Sequence, residues 1–353
     1  MTESTPRRWS TGSVLRAVVG IALAVALLVW GLPIAAQTTW GAVWDTLSRV
    51  GLGRATLFAL IAVVALWSYT FTMTGSLPGL RHRDALATNL AGSAAGNLLP
   101  GGGAVGAAAT YAMYRSFGFD ARQISTSLVV TGIWNVVGRM LLPIIGIGAV
   151  LGSGEHLPDG VLAGAASGVA VGLLLVVVVV GTLASERFGQ AVAHALDRSV
   201  GALLRRLRHD PDLSLTGAVH TVRVQIGDVV RQRWLTMSLG LAGFFAVQLV
   251  LFCVCLRTTG VDLPLGPLFA AFALGRLLTS VGITPGGVGV TETGTAAALV
   301  AFGATPAPAA AGVVLFSIYT HVMEIPLGAL AAAWWATSTG RAPGRRRPSP
   351  SSR

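Results

Sequence analysis

Apolar residues along this chain come in long, unbroken blocks separated by short polar stretches. Six blocks stand out, at about 14–36, 54–74, 125–151, 161–184, 235–256 and 308–336. Each is near or above the 20 residues that a helix needs to cross a hydrocarbon core of ~30 Å. The blocks are continuous, as in 169–180, where a lipid-facing barrel strand would alternate apolar and polar positions. The pattern predicts an all-α polytopic membrane protein with about six full spans. The first block is too long for the apolar core of a signal peptide, so 14–36 is expected to remain as a span.

Two further apolar regions, 84–117 and 265–302, differ in kind. Each divides into two short helical stretches around a break, Pro100-Gly101-Gly102-Gly103 in the first and Pro285-Gly286-Gly287 in the second. Proline removes an amide donor and glycine is a poor helix former, so neither helix is expected to run straight through. The halves are short for a crossing, which favours two re-entrant hairpins over two complete passes.

Charge orients this arrangement, because cytoplasmic loops collect arginine. With hairpins at both regions, Arg7, Arg8, Arg81, Arg83, the 185–234 segment and the tail at Arg341 and Arg345 to Arg347 share one face. The 152–160 loop, with Glu155 and Asp159 and no arginine, falls on the other. Both termini are therefore expected in the cytoplasm, although Arg49 and Arg257 go against the rule. Two full crossings per region give the same parity, and a single broken span does not. The net charge of +11 comes entirely from arginine over aspartate and glutamate. With 53% hydrophobic and 11% charged residues, against about 25% charged in soluble domains, no sizeable water-solvated domain is expected.

The 185–234 segment places Phe188, Val192, Leu196, Val200, Leu203 and Leu207 on one helical face beside Arg205, Arg206 and Arg208. It suits either an interfacial helix against anionic headgroups or a solvated basic linker. A second helix is expected to lead into the span at 235, and the Arg/Pro/Ser-rich tail 340–353 is expected to be disordered. Cys253 and Cys255 are too few for a metal or redox centre.

The chain also repeats itself. At an offset of 185, Pro100-Gly101-Gly102 falls on Pro285-Gly286-Gly287, Thr110 on Thr295, and Phe117-Gly118 on Phe302-Gly303. Repeat one covers 54–151 and repeat two 235–336. Three spans separate the hairpins, so they enter from opposite faces, an inverted repeat of the kind that places a transporter's binding site at the repeat interface.

Candidate chemistry lies in polar residues at membrane depth, where a charge at a helix centre costs about 2.5–3.5 kcal/mol. These are Asn97, Arg115, Asn135, Arg139, Arg276, Glu292, His321 and Glu324. Arg115, near a hairpin end, is expected to snorkel. The half-helices starting near Ala104 and Val288 would offer unpaired amides to an anion, with Thr291 and Thr293 adding hydroxyls. Arg139 and Glu324 are equivalent at the 185-residue offset and are expected to pair. Gly101-x-Gly103-x-x-Gly106 matches a dinucleotide pattern only literally, since it follows no strand. No Walker A sequence or metal cluster is present, and no cofactor or nucleic acid is expected.

Two stretches carry a resemblance. Asn97-Leu98-Leu99-Pro100-Gly101-Gly102, and Thr284-Pro285-Gly286-Gly287-Val288-Gly289-Val290-Thr291-Glu292 with Gly303 downstream, resemble the flippase-like membrane domain of lysylphosphatidylglycerol synthases. The likeness extends over about 14–336. It departs from the commoner pattern at Thr291, where that family has arginine. The resemblance implies a lipid translocase of the bacterial cytoplasmic membrane acting on an anionic, aminoacylated or polyprenyl-linked lipid. It does not imply lipid synthesis, because only a short tail follows the last span. Asn97, Gly101, Gly102, Asn135, Arg139, Arg276, Gly286, Gly287, Thr291, Glu292 and Glu324 are the expected binding residues. Alternatives are a secondary transporter of a small solute, a membrane enzyme acting on lipid-linked sugars, and a non-catalytic partner of a lipid-modifying enzyme.

Overall fold

The computed structural model describes residues 11–98, 102–152, 215–279 and 284–339, together with 185–196 and a few positions on either side. No strand occurs among them. Five helical stretches are long and apolar enough to cross a membrane: Val18–Ala35, Leu52–Ser76, Ala121–Gly146, Val229–Thr259 and Pro306–Ser338. The protein is an all-α, multi-pass membrane protein, and these five stretches coincide with five of the six apolar blocks. The sixth block, 161–184, lies largely outside the described residues, as do Pro100, Gly101 and the tail 340–353.

The first span is α1 (Thr11–Ala26), a π turn at Leu27–Gly31 and α2 (Leu32–Ala35). A short helix that the apolar pattern does not announce follows, α3 (Trp40–Leu47), whose N-cap Thr39 accepts the Ala42 amide. The Trp40 indole donates to the carbonyl of Val29 at 2.8 Å, and Trp44 stays exposed, as suits amphipathic rings in the headgroup layer. Next come α4 (Leu52–Ser76), α5 (His82–Leu98), α6 (Gly102–Ser116) and α7 (Ala121–Gly152).

The basic segment supplies α8 (Glu186–Leu196), which packs on α9 (Leu215–Thr259). The expected second helix is continuous with the span at 235. Its 45 residues extend roughly 67 Å, far more than a bilayer core, so its first third projects beyond the apolar window. The remainder of the amphipathic series, from Val200 on, lies outside the described residues until Leu215.

The second half holds α10 (Leu265–Leu278), a tight turn at Pro285–Gly287, α11 (Val290–Ala301) and α12 (Pro306–Ser317). A π turn at Ile318–Val322 then leads to α13 (Glu324–Thr339). The expected single span at 308–336 thus carries a π turn at its middle.

Both Pro-Gly-Gly regions fold back on themselves. Gly92 and Gly96 of α5 face Gly106 and Gly102 of α6, an antiparallel pairing. A Cβ on Gly106 would lie 2.6 Å from the Gly92 carbonyl oxygen, and one on Gly102 would overlap that of Gly96. Backbones at this separation require the small residues typical of helix contacts in membranes. In the second region Gly275 faces Thr295 and Gly287 faces Thr279, again antiparallel. The halves have 17, 15, 14 and 12 residues, roughly 18–25 Å each.

Long packing joins α4 to α9. α5 rests on α13, and α10 rests on α7. Shifted by 185 residues, α5 falls on α10 and the second half of α7 on α13, so these are the same contact occurring twice. The ends of α6 and α11 correspond in detail. Gly118 (φ 98°) and Gly303 (φ 93°) are 185 apart. Phe119 donates to the Tyr114 carbonyl as Ala304 does to that of Leu299, the left-handed cap that favours glycine. The main apolar core lies among α4, α9, α10, α11 and α12 and includes Phe58, Phe252, Phe272 and Phe316.

Candidate functional site

The two hairpin tips meet. Asn97, at the end of α5, lies against the turn before α11: a Cβ on Gly286, which has φ 61°, would sit 2.7 Å from Asn97 Oδ1 and 3.7 Å from the His321 ring. Asn97 Nδ2 also reaches Glu324 Oε2 at 3.5 Å. One side chain of the first hairpin thus touches the second hairpin and the helix beyond it.

Glu292 is 1% exposed and sits in the first turn of α11. Its Oε2 accepts the Gly289 amide at 2.5 Å, and its Oε1 accepts the Ser317 hydroxyl. A carboxylate that reaches back to the N-cap amide answers the orphan donor and the positive end of the helix together. Ser317 Oγ lies 3.4 Å from His321 Nδ1, and Thr320 Oγ1 lies 3.1 Å from the same nitrogen. The π turn Ile318–Val322 holds His321 toward the hairpin. The other π turn, Leu27–Gly31, faces the same helix: the Leu27 carbonyl accepts Thr293 Oγ1 at 3.2 Å. The expectation of open amides at this helix start is corrected here, because Glu292 of the helix itself fills the position. Thr293 serves the first span, and only Thr291 faces the site.

Arg276, on the last turn of α10, is 8% exposed. Its Nη1 donates to Gln248 Oε1 at 3.2 Å, and its guanidinium stacks 5.7 Å and 5.2 Å from the ring centres of Phe272 and Phe316. Nε has no partner, and no described carboxylate lies within 4 Å of the group. Glu292 and Glu324 are near enough to attract it and Arg139 near enough to repel it. Thr291 Oγ1 and Thr295 Oγ1 are likewise buried without partners. Arg276, Thr291, Thr295, Glu292, Ser317 and His321 line one enclosed cavity, with room for about one water molecule.

The remaining expected residues divide. Asn135 belongs to a separate group, where its Nδ2 donates to the Tyr69 hydroxyl at 2.6 Å and to the Thr131 carbonyl at 2.8 Å. Arg139 lies one turn further along α7 and acts electrostatically on Tyr69. Gly287 is packed 3.0 Å from Thr279 Cα, counted from an ideal Cβ, and Gly102 is packed against the Gly96 backbone of α5, so both positions require glycine for packing. Gly101 lies outside the described residues. Arg115 is exposed and donates to the Phe119 carbonyl at 3.1 Å, in keeping with a snorkelling arginine at a helix end. Cys253 and Cys255 are free thiols, and no metal cluster occurs among the described residues.

The expected Arg139–Glu324 pair does not form: Glu324 meets Asn97 instead. Equivalence by sequence offset does not bring two residues together unless both lie near the axis relating the halves. A swap, Arg139→Glu with Glu324→Arg, is therefore expected to recover none of the stability lost by the single changes. Asn97→Asp, which sets a second carboxylate beside Glu324, is expected to cost about 1–3 kcal/mol. Thermal melting in detergent checks both; full recovery by the swap would restore the pair.

Sequence reading missed Ser317 and Gln248. Gln248, a lone amide within an apolar span, was visible on the same grounds as Asn135. Ser317 and His321 stand four apart, one turn of helix, which marks a shared face.

An α-helical bundle with five apolar helices of membrane-spanning length is a multi-pass membrane protein, and a buried polar cluster lies where its two hairpins meet. The chain belongs to the lysylphosphatidylglycerol synthase TM region family, whose description it matches over residues 17–328. No curated protein matches it. Family membership makes it a membrane protein of lipid metabolism or transport.

Proposed function

We propose that this protein is a lipid translocase of the cytoplasmic membrane that moves a phospholipid or lipid-linked headgroup between leaflets and catalyses no covalent step. The observation that carries the reading is the meeting of the hairpin tips. Asn97, Gly286, Glu292, His321, Glu324 and Arg276 converge at one place in an apolar fold. Polar groups at such depth are costly unless they face a partner or a cargo. The reciprocal packing of α5 on α13 and α10 on α7 supports an inverted repeat, and the short antiparallel halves support re-entrant hairpins entering from opposite faces. Arginine-rich 185–234 and the basic tail then favour cytoplasmic termini.

A headgroup would enter sideways, its phosphate held by Arg276 and any cationic group by Glu324 and Asn97, with its tails remaining in lipid. Anionic or aminoacylated phospholipids suit this division of charge, and a lipid-modifying enzyme is the natural partner to supply them. In liposomes carrying a fluorescent phosphatidylglycerol, the protein is expected to speed leaflet exchange at least ~tenfold over empty vesicles. Absence of protein-dependent exchange for any anionic or aminoacylated lipid would refute the reading.

A further inference from the structure

We infer that Glu292 is a displaceable internal anion, occupying at the start of α11 the position that a phosphate group takes when cargo binds. The inference rests on the translocase reading for its lipid but stands on geometry that is independent of it. A helix start in a dry interior attracts negative charge, and here a side chain of the same helix supplies it through the Gly289 amide. The surrounding donors exceed what one carboxylate satisfies. Arg276 Nε, Thr291 Oγ1 and Thr295 Oγ1 are all buried beside it and all lack a partner. Gly275 leaves the space that the Thr295 hydroxyl fills, since a Cβ there would lie 2.6 Å from Thr295 Oγ1.

Unsatisfied buried donors around a single acceptor call for a group that only accepts and has several oxygens, which describes a phosphate. With Glu292 in place the cavity holds about one water molecule, so a phosphate must take the volume of the carboxylate and not lie beside it. Ser317 holds the second carboxylate oxygen, and it stands immediately before the π turn that carries His321. Withdrawal of Glu292 toward that turn frees the Gly289 amide beside the two threonine hydroxyls and Arg276 Nε, which already lack partners.

The test uses the full chain in phosphate-free maltoside and measures binding of short-chain phosphatidylglycerol and of inorganic phosphate. Glu292→Gln keeps a carbonyl for the Gly289 amide and removes the competing charge. It is expected to bind the lipid at least ~tenfold more tightly than the native chain. Adding Arg276→Gln is expected to abolish the gain. Lipid binding without phosphate binding assigns the site to a lipid headgroup; equal gains for both assign it to phosphate as such. Should Glu292→Gln fail to fold, Ser317→Ala loosens the same carboxylate and is expected to raise affinity in the same direction. No gain for either probe in a folded variant overturns the proposal. If native protein moves no lipid in vesicles while Glu292→Gln still gains affinity, the translocase reading falls and the anion site stands.

Discussion

Gly102→Ala is expected to abolish folding, while Gly103→Ala one position on leaves the protein intact. The two residues are adjacent on α6 and differ only in the direction they face. A Cβ on Gly102 overlaps the carbonyl oxygen of Gly96, which is backbone and has no rotamer to change. Around Gly103 nothing lies within 4 Å of the same atom. Relief at Gly102 requires α5 and α6 to separate along their length, because Gly92 and Gly106 make the same close contact one turn away. That separation also moves Asn97 from Gly286. Overpacking of this kind costs about 1–3 kcal/mol where side chains absorb it, and more where only backbone is available. Gly103→Ala is expected to be neutral or stabilising by up to ~1 kcal/mol through helix propensity. The fraction surviving a thermal challenge, read by fluorescence-detected gel filtration, checks both. Equal behaviour of the two variants would show that the hairpin is not packed backbone to backbone.

Arg276→Met is expected to cost about 3 kcal/mol or more and to eliminate lipid exchange. The side chain fills a slot between Phe272 and Phe316, and methionine approximates its stem. What methionine lacks is the charge that offsets Glu292 and Glu324, both buried. Losing the compensating charge of a buried set typically costs 3–5 kcal/mol. Adding Glu324→Gln to Arg276→Met is expected to restore part of the stability, since one of the two uncompensated carboxylates is then gone. Exchange is not expected to return, because the guanidinium proposed to hold the phosphate is still absent. Arg276→Lys is expected to fold and to bind lipid poorly, since an ammonium cannot stack between two rings while reaching Gln248. If Arg276→Met folds as well as the native chain, the buried charges are independently satisfied and the electrostatic account fails.

Much of this architecture was legible in the order of residues. Runs of 20 apolar residues have few fates other than crossing a membrane, and Pro-Gly-Gly has few fates in a helix other than breaking it. The 185-residue offset anticipated the paired caps at Gly118 and Gly303, because a glycine with positive φ is a local requirement that local sequence meets. Glu292 standing three residues after Gly289 was also a readable capping pattern.

The tertiary structure decided which of the polar residues meet. Hydropathy fixes how deep a residue lies and says nothing of its rotation about the helix axis. Asn97 and Glu324 are 227 residues apart, and only the packing of α5 on α13 brings them together. Arg139, equivalent to Glu324 by offset, lies near Tyr69 and Arg276 instead. The π turns were equally invisible, because one extra residue in a turn leaves no compositional mark. Both lie beside α11: Thr293 donates to the Leu27 carbonyl, and Ser317, held by Glu292, stands beside His321. Sequence alone determined that charged groups lie within the membrane; the packing of two hairpin tips determined that they form one site, with Glu292 inside it.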